Sequence, residues 1–286
     1  MEKIDRLGWA AGLSIQAYGL RIGVRVSKAE ALDDVLAVLP PGWEPSCTPI
    51  VDRLYSLRMG GPTHGNRVRN YHILFMGLQK LARTHDLGEA LDALESDLQI
   101  HVAEFAHNRI FVHAGVVGWR GQAILLPGPT CAGKTSLVTA LLRAGATYYS
   151  DEYAVLDGRG LVHPYARRLS LRQPGGERNH RCGPEEFGSH SGEKPLPVGL
   201  IALTSFGAGA VWQPKTLSPG KAAMELLLNT IPAQTDPEAV LSTLRRVVAF
   251  APTIRSPRGE ADDIVEDLLR IIERGDYSSN QRLAAA

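Results

Sequence analysis

The sequence predicts a mixed α/β protein in two parts, a small N-terminal α+β subdomain and a larger domain built around a glycine-rich loop. Short stretches in which apolar and polar residues alternate indicate strands, and longer stretches with helical spacing separate them. A glycine-rich run over residues 128–135 follows an apolar strand pattern and opens a helix pattern. The predicted boundaries are residues 1–106 for the subdomain, 107–276 for the larger domain and 277–286 for a C-terminal tail.

The N-terminal subdomain is predicted from strand and helix patterns alone. "LRIGVRV" alternates strictly, which is typical of a half-buried strand, and the helix pattern after it stops at Pro40 and Pro41. No residue here carries a chemical signature, so the sequence assigns this subdomain no function. The predicted strands cover residues 20–26, 52–59 and 70–76, and the predicted helices cover 28–39 and 87–106.

The larger domain is predicted to begin with two buried strands, "RIFVHAGVV" and "QAILLPG", the second of which enters the glycine-rich run. Residues 173–197 are rich in Gly, Pro and polar residues, which indicates a mobile segment, either a substrate-facing flap or a long loop. The last helix is predicted to stop at Gly275. The predicted strands cover 109–117, 122–128, 146–157, 160–172 and 198–206, and the helices cover 134–145, 218–230, 236–250 and 259–274.

The composition excludes several classes of function. The 31 basic and 30 acidic residues leave no charge bias toward nucleic acid or anionic lipid. Three widely spaced cysteines, Cys47, Cys131 and Cys182, fit a reducing compartment better than a disulfide framework. No apolar run reaches the roughly 20 residues of a membrane helix, and no secretory signal is recognised at the N-terminus. We therefore expect a cytoplasmic protein with no membrane and no nucleic-acid partner.

The run "GPTCAGKT", called the glycine loop below, satisfies the G-x-x-x-x-G-K-[ST] pattern of a phosphate-binding loop (P-loop). Its backbone N–H groups would hold a phosphate at the helix N-terminus, Lys134 would reach the β- and γ-phosphates, and Thr135 would ligate Mg²⁺. The alternative is a corner that needs glycine only for packing. The predicted nucleotide-binding residues are Gly128, Pro129, Thr130, Cys131, Ala132, Gly133, Lys134, Thr135 and Ser136.

Two adjacent acidic residues, Asp151 and Glu152, follow the strand pattern "ATYY". If that strand lies beside the strand leading into the glycine loop, one carboxylate can hold Mg²⁺ and the other can accept a proton from an attacking hydroxyl. The alternative is a pair of acidic residues in a surface turn.

Three further side chains are candidates with open alternatives. His113 lies in an apolar strand pattern, where a histidine is commonly a core residue. Arg168 and Arg172 are four residues apart, which would place both on one face of a strand. They would clamp a phosphoryl group or an acidic substrate, or else form a solvated face.

Residues 109–156 resemble the catalytic core of bacterial HPr kinase/phosphorylase and its relatives. That family places a histidine in a strand before its loop and two adjacent acidic residues after the loop helix. Here His113 lies 15 residues before Gly128, and Asp151 lies 17 residues after Lys134. The I-R-G-[LI]-G signature of HPr kinases is missing downstream, and "HPYARRLSLR" and "SPGKAAMELLLNT" look more like the divergent HPr-kinase-related proteins.

The resemblance implies a mixed sheet like that of the nucleotide domain of phosphoenolpyruvate carboxykinase, and Mg·ATP-dependent phosphorylation of a serine hydroxyl. It makes Asp151 the candidate general base, Glu152 the candidate metal ligand, and places His113 near the γ-phosphate. It also implies a homo-oligomer, although no residue pattern marks an interface. The family includes enzymes that act on protein, on biosynthetic peptides and on small hydroxylated molecules.

The predicted function is therefore an ATP- and Mg²⁺-dependent kinase that acts on a hydroxyl, most simply a serine of a protein or biosynthetic peptide. The alternatives are a small-molecule hydroxyl kinase, a non-enzymatic ATP-binding sensor, and a P-loop hydrolase. A guanine-specific N-K-x-D motif is missing, which disfavours GTP.

Overall fold

The structure is a computed structural model that describes residues 3–61, 71–130, 132–171 and 180–283, with side chains described in these ranges from residue 4 to residue 274. The chain divides into two compact units, Met1–His107 and Asn108–Ala286. Both units combine sheets with helices, which confirms the predicted mixed α/β class. Among the described residues, no helix combines the length and the apolar character needed to cross a membrane.

In its described residues, the first unit consists of a six-stranded sheet with two α-helices. The strand order is β3-β1-β2-β4-β5-β6, in which only β2 and β4 run parallel. The long helix α2 begins where Asp86 caps it through a hydrogen bond from the Gly88 amide (2.7 Å). The elements are β1 Ala11–Ala17, β2 Leu20–Val26, α1 Ala31–Leu36, β3 Glu44–Pro45, β4 Arg53–Arg58, β5 His72–Met76, β6 Gln79–Thr84 and α2 Leu87–Phe105.

The second unit contains an eight-stranded mixed sheet and a separate two-stranded ribbon of β12 and β13. The main sheet has the order β11-β10-β7-β8-β14-β16-β15, and β9 pairs with β7. Strand β14 runs parallel to both β8 and β16. The elements are β7 Ile110–Trp119, β8 Gln122–Pro127, α3 Lys134–Arg143, β9 Thr147–Ser150, β10 Tyr153–Leu156, β11 Leu161–His163, β12 Leu169–Leu171, β13 His180–Cys182, β14 Leu196–Phe206, β15 Lys215–Thr216, α4 Pro219–Leu228, α5 Pro237–Phe250, β16 Thr253–Arg258 and α6 Val265–Leu283.

Helices cover both faces of this main sheet, and alternate residues of β8 belong to different cores. Ile124 and Leu126 pack in one cluster with residues of α3 and α6. Ala123 and Leu125 pack in the other cluster with residues of α4 and α5. Because β8 is buried on both sides, the loop that follows it starts from a fixed point in the unit.

Several predicted boundaries differ from the structure. The last helix begins at Val265 and continues to Leu283, so Gly275 does not end it. The described part of the predicted mobile segment, residues 180–197, contains β13, a 3-10 helix over Pro184–Phe187 and the start of β14. The predicted strand over residues 146–157 is two strands, β9 and β10, with Asp151 and Glu152 between them.

Candidate functional site

The glycine loop joins the end of β8 to the first turn of α3 and is tied to the neighbouring strand. Gly133 has a φ of +82°, a conformation that glycine adopts without steric strain. The Gly128 amide donates to the carbonyl oxygen of His113 in β7 (3.3 Å), and the Ala132 amide donates to that of Pro129 (3.2 Å). Cys131 lies outside the described residues. The start of the loop is thus fixed against β7, because β7 and β8 are paired from Ala114 onward.

Lys134, the first residue of α3, is buried and its side chain reaches back across the loop. Its Nζ donates to the carbonyl oxygens of Gly128 (2.9 Å) and Pro129 (3.0 Å). It also lies 3.1 Å from Nε2 of His113. The ammonium group therefore stands at the base of the glycine loop, in contact with the histidine of β7.

His113 connects the loop to the acidic pair. Its Nε2 lies 3.1 Å from Lys134 Nζ and 3.4 Å from Glu152 Oε1. The same nitrogen cannot accept a hydrogen bond from Lys134 and donate one to Glu152 at the same time, so the two hydrogen bonds require the ring proton on different nitrogens, that is, different tautomers. The His113 side chain is 19% exposed and the Glu152 side chain is 44% exposed, so both are accessible to a ligand.

The strand pairing that places the acidic pair beside His113 differs from the arrangement considered from the sequence. Strand β9 pairs with β7, and β7 lies between β9 and β8, so the condition that "ATYY" lies beside the loop strand is not met. The second half of β7 pairs with β9 and its first half with β10. Asp151 and Glu152 occupy the step between these two strands. The Ala114 amide donates to the Glu152 carbonyl oxygen there (3.1 Å), which sets the pair beside His113.

Asp151 is buried, with 8% of its surface exposed. Burial raises the pKa of its carboxyl group, a hydrogen bond from Tyr148 lowers it, and the charge of Glu152 raises it, with a net pKa of about 6. The Tyr148 hydroxyl donates to Oδ1 at 3.0 Å, and burial raises the pKa of this tyrosine. Asp151 is thus a carboxylate that can gain and lose a proton near neutral pH.

Thr135 and Glu152 are the two residues predicted to hold Mg²⁺. Thr135 lies half-buried in the first turn of α3, and Glu152 offers an accessible carboxylate. Hydroxyl and carboxylate oxygens are ligand types that Mg²⁺ prefers. Ser136, the last predicted nucleotide-binding residue, is exposed on the same turn, as are Pro129 and Thr130 on the loop.

A second group of metal-ligating residue types lies on the β13 ribbon. The side-chain ligand atoms of His180, Cys182 and Glu186 are all within 4.8 Å of one another. His180 and Glu186 already form an ion pair (3.4 Å). This ion pair accounts for their closeness, and we assign the group no function.

The predicted arginine pair is only partly described. Arg168 is exposed just before β12, and Arg172 lies outside the described residues. Arg167, which precedes Arg168, is half-buried. Burial and the charge of Arg181 lower the pKa of the Arg167 guanidinium to about 10.

Arg258 and Tyr148 contact the site residues but carry no sequence signal. Arg258 ends β16 and is 1% exposed. Its Nη2 donates to the carbonyl oxygen of Gly133, 125 positions away (2.8 Å). Neither residue falls in a motif. The fold brings Arg258 to the loop from 125 positions away, whereas Tyr148 is only three positions from Asp151 in the sequence.

Comparison of the chain with protein-family models gave no match, and comparison with curated proteins gave none either.

Proposed function

We propose that this protein is a Mg·ATP-dependent phosphotransferase that moves the γ-phosphoryl group to a hydroxyl, most simply a serine of a protein or biosynthetic peptide. The observation that carries the proposal is the contact chain from Lys134 through His113 to Glu152, with distances of 3.1 and 3.4 Å. It joins the glycine loop to Glu152 of the acidic pair across β7. The resemblance to HPr-kinase-related proteins supports the finer assignment: a P-loop in a mixed sheet of the HPr-kinase type.

The glycine loop would bind the phosphates of ATP. Backbone N–H groups at the N-terminus of α3 favour an anion, and the helix dipole adds to this effect. Lys134 donates to two loop carbonyl oxygens, and in our proposal it exchanges these for β- and γ-phosphate oxygens. Its position at the base of the loop supports this role.

Asp151 would take the proton from the acceptor hydroxyl. The hydroxyl oxygen forms a bond to the γ-phosphorus, the bond from that phosphorus to the β–γ bridging oxygen breaks, and ADP leaves with the bond's electrons. The proton passes to the Asp151 carboxylate. A base with a pKa of about 6 is largely ionised at pH 7 and still accepts a proton readily, which supports this assignment.

Thr135 and Glu152 would hold Mg²⁺, and His113 would orient the groups around the γ-phosphate. When bound, the cation neutralises charge on the phosphate oxygens. The His113 ring lies within 3.4 Å of both Lys134 and Glu152, so it can hydrogen-bond to either one as the ligand engages the other. Accurate placement of such groups accounts for most of the rate in phosphoryl transfer.

The test is intact-mass spectrometry after incubation with Mg·ATP and a panel of serine-bearing peptides and small alcohols. The proposal expects one acceptor to gain the mass of a phosphoryl group and the Lys134→Ala variant to form no product. The charge-matched control Lys215→Ala removes a lysine from the exposed strand β15 and should leave transfer unchanged. Hydrolysis of ATP at the same rate with and without every acceptor would point instead to a hydrolase, and binding of ATP without turnover would point to a sensor.

A further inference from the structure

We propose that Arg258 is the positioning residue that holds the glycine loop in its phosphate-binding shape, by fixing the carbonyl oxygen of Gly133. The ligand named here rests on the proposed function, whereas the contact between Arg258 and Gly133 does not. Arg258 acts through the backbone of the loop.

The guanidinium group of Arg258 is clamped between two backbone segments. Nη2 donates to the Gly133 carbonyl oxygen (2.8 Å) and Nη1 donates to that of Gly259 (2.9 Å). The Phe206 ring lies against the group, with 5.8 Å between its centroid and the Arg258 Cζ atom. Because the residue is 1% exposed, water does not compete for these donors.

The Gly133 carbonyl oxygen is the point at which the loop becomes a helix. It accepts from the Leu137 amide (3.1 Å), the first hydrogen bond of α3, and from Arg258. Two donors therefore fix the direction of this peptide group. With the carbonyl held on the arginine side, the N–H groups that follow it in the first turn of α3 are left to face an anion.

The same contact explains why position 133 is a glycine. A Cβ atom built there would lie 2.5 Å from Arg258 Nη2, and the φ of +82° disfavours any other residue. The arginine occupies the space that a side chain would need. Gly133 and Arg258 thus form a matched pair, although the motif pattern contains only the glycine.

One donor of Arg258 remains without a partner. Its Nε is buried and has no hydrogen-bond acceptor within the part of the chain that the structure describes. A buried unsatisfied donor is unfavourable and calls for an explanation. We explain the unpaired Nε by the two carbonyl contacts of the same guanidinium group. Only a planar guanidinium can reach the carbonyl oxygens of both Gly133 and Gly259 from one buried position, and these two hydrogen bonds offset the cost of the unpaired Nε. A lysine at 258 would keep the charge and lose this double contact.

The experiment compares Arg258→Lys with the matched control Arg255→Lys. Arg255 lies on the same strand, is 48% exposed and pairs with Glu225. Two measurements are made on each full-length variant: the Kd for Mg·ATP by calorimetry, and amide hydrogen exchange of the ligand-free protein. The exchange measurement follows the Leu137 amide, whose acceptor is the Gly133 carbonyl oxygen.

For Arg258→Lys we expect a Kd about 10-fold higher, the loss expected from one hydrogen bond to a charged group, and faster exchange at Leu137. Arg255→Lys should change neither by more than about twofold. Unchanged exchange and an unchanged Kd in Arg258→Lys would overturn the proposal. If the wild-type protein does not bind Mg·ATP, the proposed function is rejected. Faster exchange at Leu137 in Arg258→Lys would in that case still support the conclusion that the Arg258–Gly133 contact holds the loop.

If Arg258→Lys does not fold, Phe206→Ala provides the second test. Phe206 is 52% exposed, so its removal perturbs the core little while it frees one side of the guanidinium group. A smaller change in the same direction, about two- to fivefold in Kd with faster exchange at Leu137, supports the proposal. Wild-type values for both quantities in this variant would overturn it.

Discussion

Tyr148 donates a hydrogen bond to Asp151 Oδ1 at 3.0 Å, and both side chains are buried. The tyrosine lies at the centre of β9 and the carboxylate directly follows that strand. This hydrogen bond stabilises the ionised form of Asp151, whereas burial stabilises the protonated form. The balance between the two sets the pH at which the proposed base works.

Removal of the tyrosine hydroxyl should shift the pH dependence of transfer. In Tyr148→Phe the ionised carboxylate loses its hydrogen bond, so the pKa of Asp151 rises above its value of about 6. We expect the acidic limb of the kcat profile to move to higher pH by up to about one unit, with little change at pH 8. The matched control is Tyr149→Phe, because the Tyr149 hydroxyl donates to the Lys194 carbonyl oxygen instead. If the acidic limb of the Tyr148→Phe profile does not move, Tyr148 does not set the pKa of the catalytic base.

Asp151 should also lower the stability of the protein at neutral pH. Its pKa is raised from 3.8 to about 6, so the folded state binds the proton more tightly than the unfolded state. The resulting stabilisation is complete below about pH 4 and is lost as the pH rises through 6. In Asp151→Asn we therefore expect a free energy of unfolding up to about 3 kcal/mol higher than wild type at pH 7.5, and near equality at pH 4. Urea denaturation at the two pH values measures the difference.

Asp157 provides a control of opposite sign for this stability measurement. Burial raises its pKa, but hydrogen bonds from His163 and from the Leu161 and Arg159 amides outweigh burial and lower the pKa to about 2. Asp157→Asn should therefore destabilise the protein at pH 7.5 and have less effect as the pH falls toward 2. If both substitutions change the free energy of unfolding in the same direction at pH 7.5, the pKa of Asp151 is not raised by its environment.

Lys134 should matter for nucleotide affinity more than for folding. Lys134→Met keeps much of the buried stem and removes the ammonium group that contacts Gly128, Pro129 and His113. We expect the Kd for Mg·ATP to rise by about 10- to 100-fold, since hydrogen bonds to a charged group contribute about 1.5–3 kcal/mol. Calorimetric titration with Mg·ATP measures the Kd, and a thermal melt reports folding. Wild-type affinity in this variant would contradict the role of the loop.

His113 should affect turnover more than binding. His113→Ala removes the imidazole that contacts Lys134 and Glu152, whereas the hydrogen bond from the Gly128 amide uses the backbone of residue 113 and not its side chain. We expect kcat to fall by about 100-fold and the KM for ATP to change by much less. Steady-state kinetics at saturating acceptor separates the two parameters. A change confined to KM would make His113 a binding residue only.

Local sequence patterns predicted those helices and strands that are determined by residue spacing and by a short motif. Helix α2 follows from its helical spacing, and the order β8, loop and α3 follows from the motif. Helix α6 continues past Gly275 because a single glycine lowers helix stability without necessarily ending the helix.

The long-range arrangement of the site could not be predicted in the same way. The position of β7 between β8 and β9 depends on strand pairing across the whole unit, which no local pattern encodes. The contact between Arg258 and Gly133 joins residues 125 positions apart. Asp151 was a candidate from its neighbours in sequence, but its burial and its Tyr148 partner depend on how β9 and the elements around it pack.

The measurement that tests the central claim most directly is a comparison of ATP binding and phosphoryl transfer in Asp151→Asn. The amide keeps the size of the side chain and cannot accept the proton. Calorimetry should give a Kd for Mg·ATP close to that of the wild type, and intact-mass spectrometry should detect no phosphorylated acceptor. Transfer at the wild-type rate by this variant would contradict the assignment of Asp151 as the base, and with it the account of this site as a kinase built on the acidic pair.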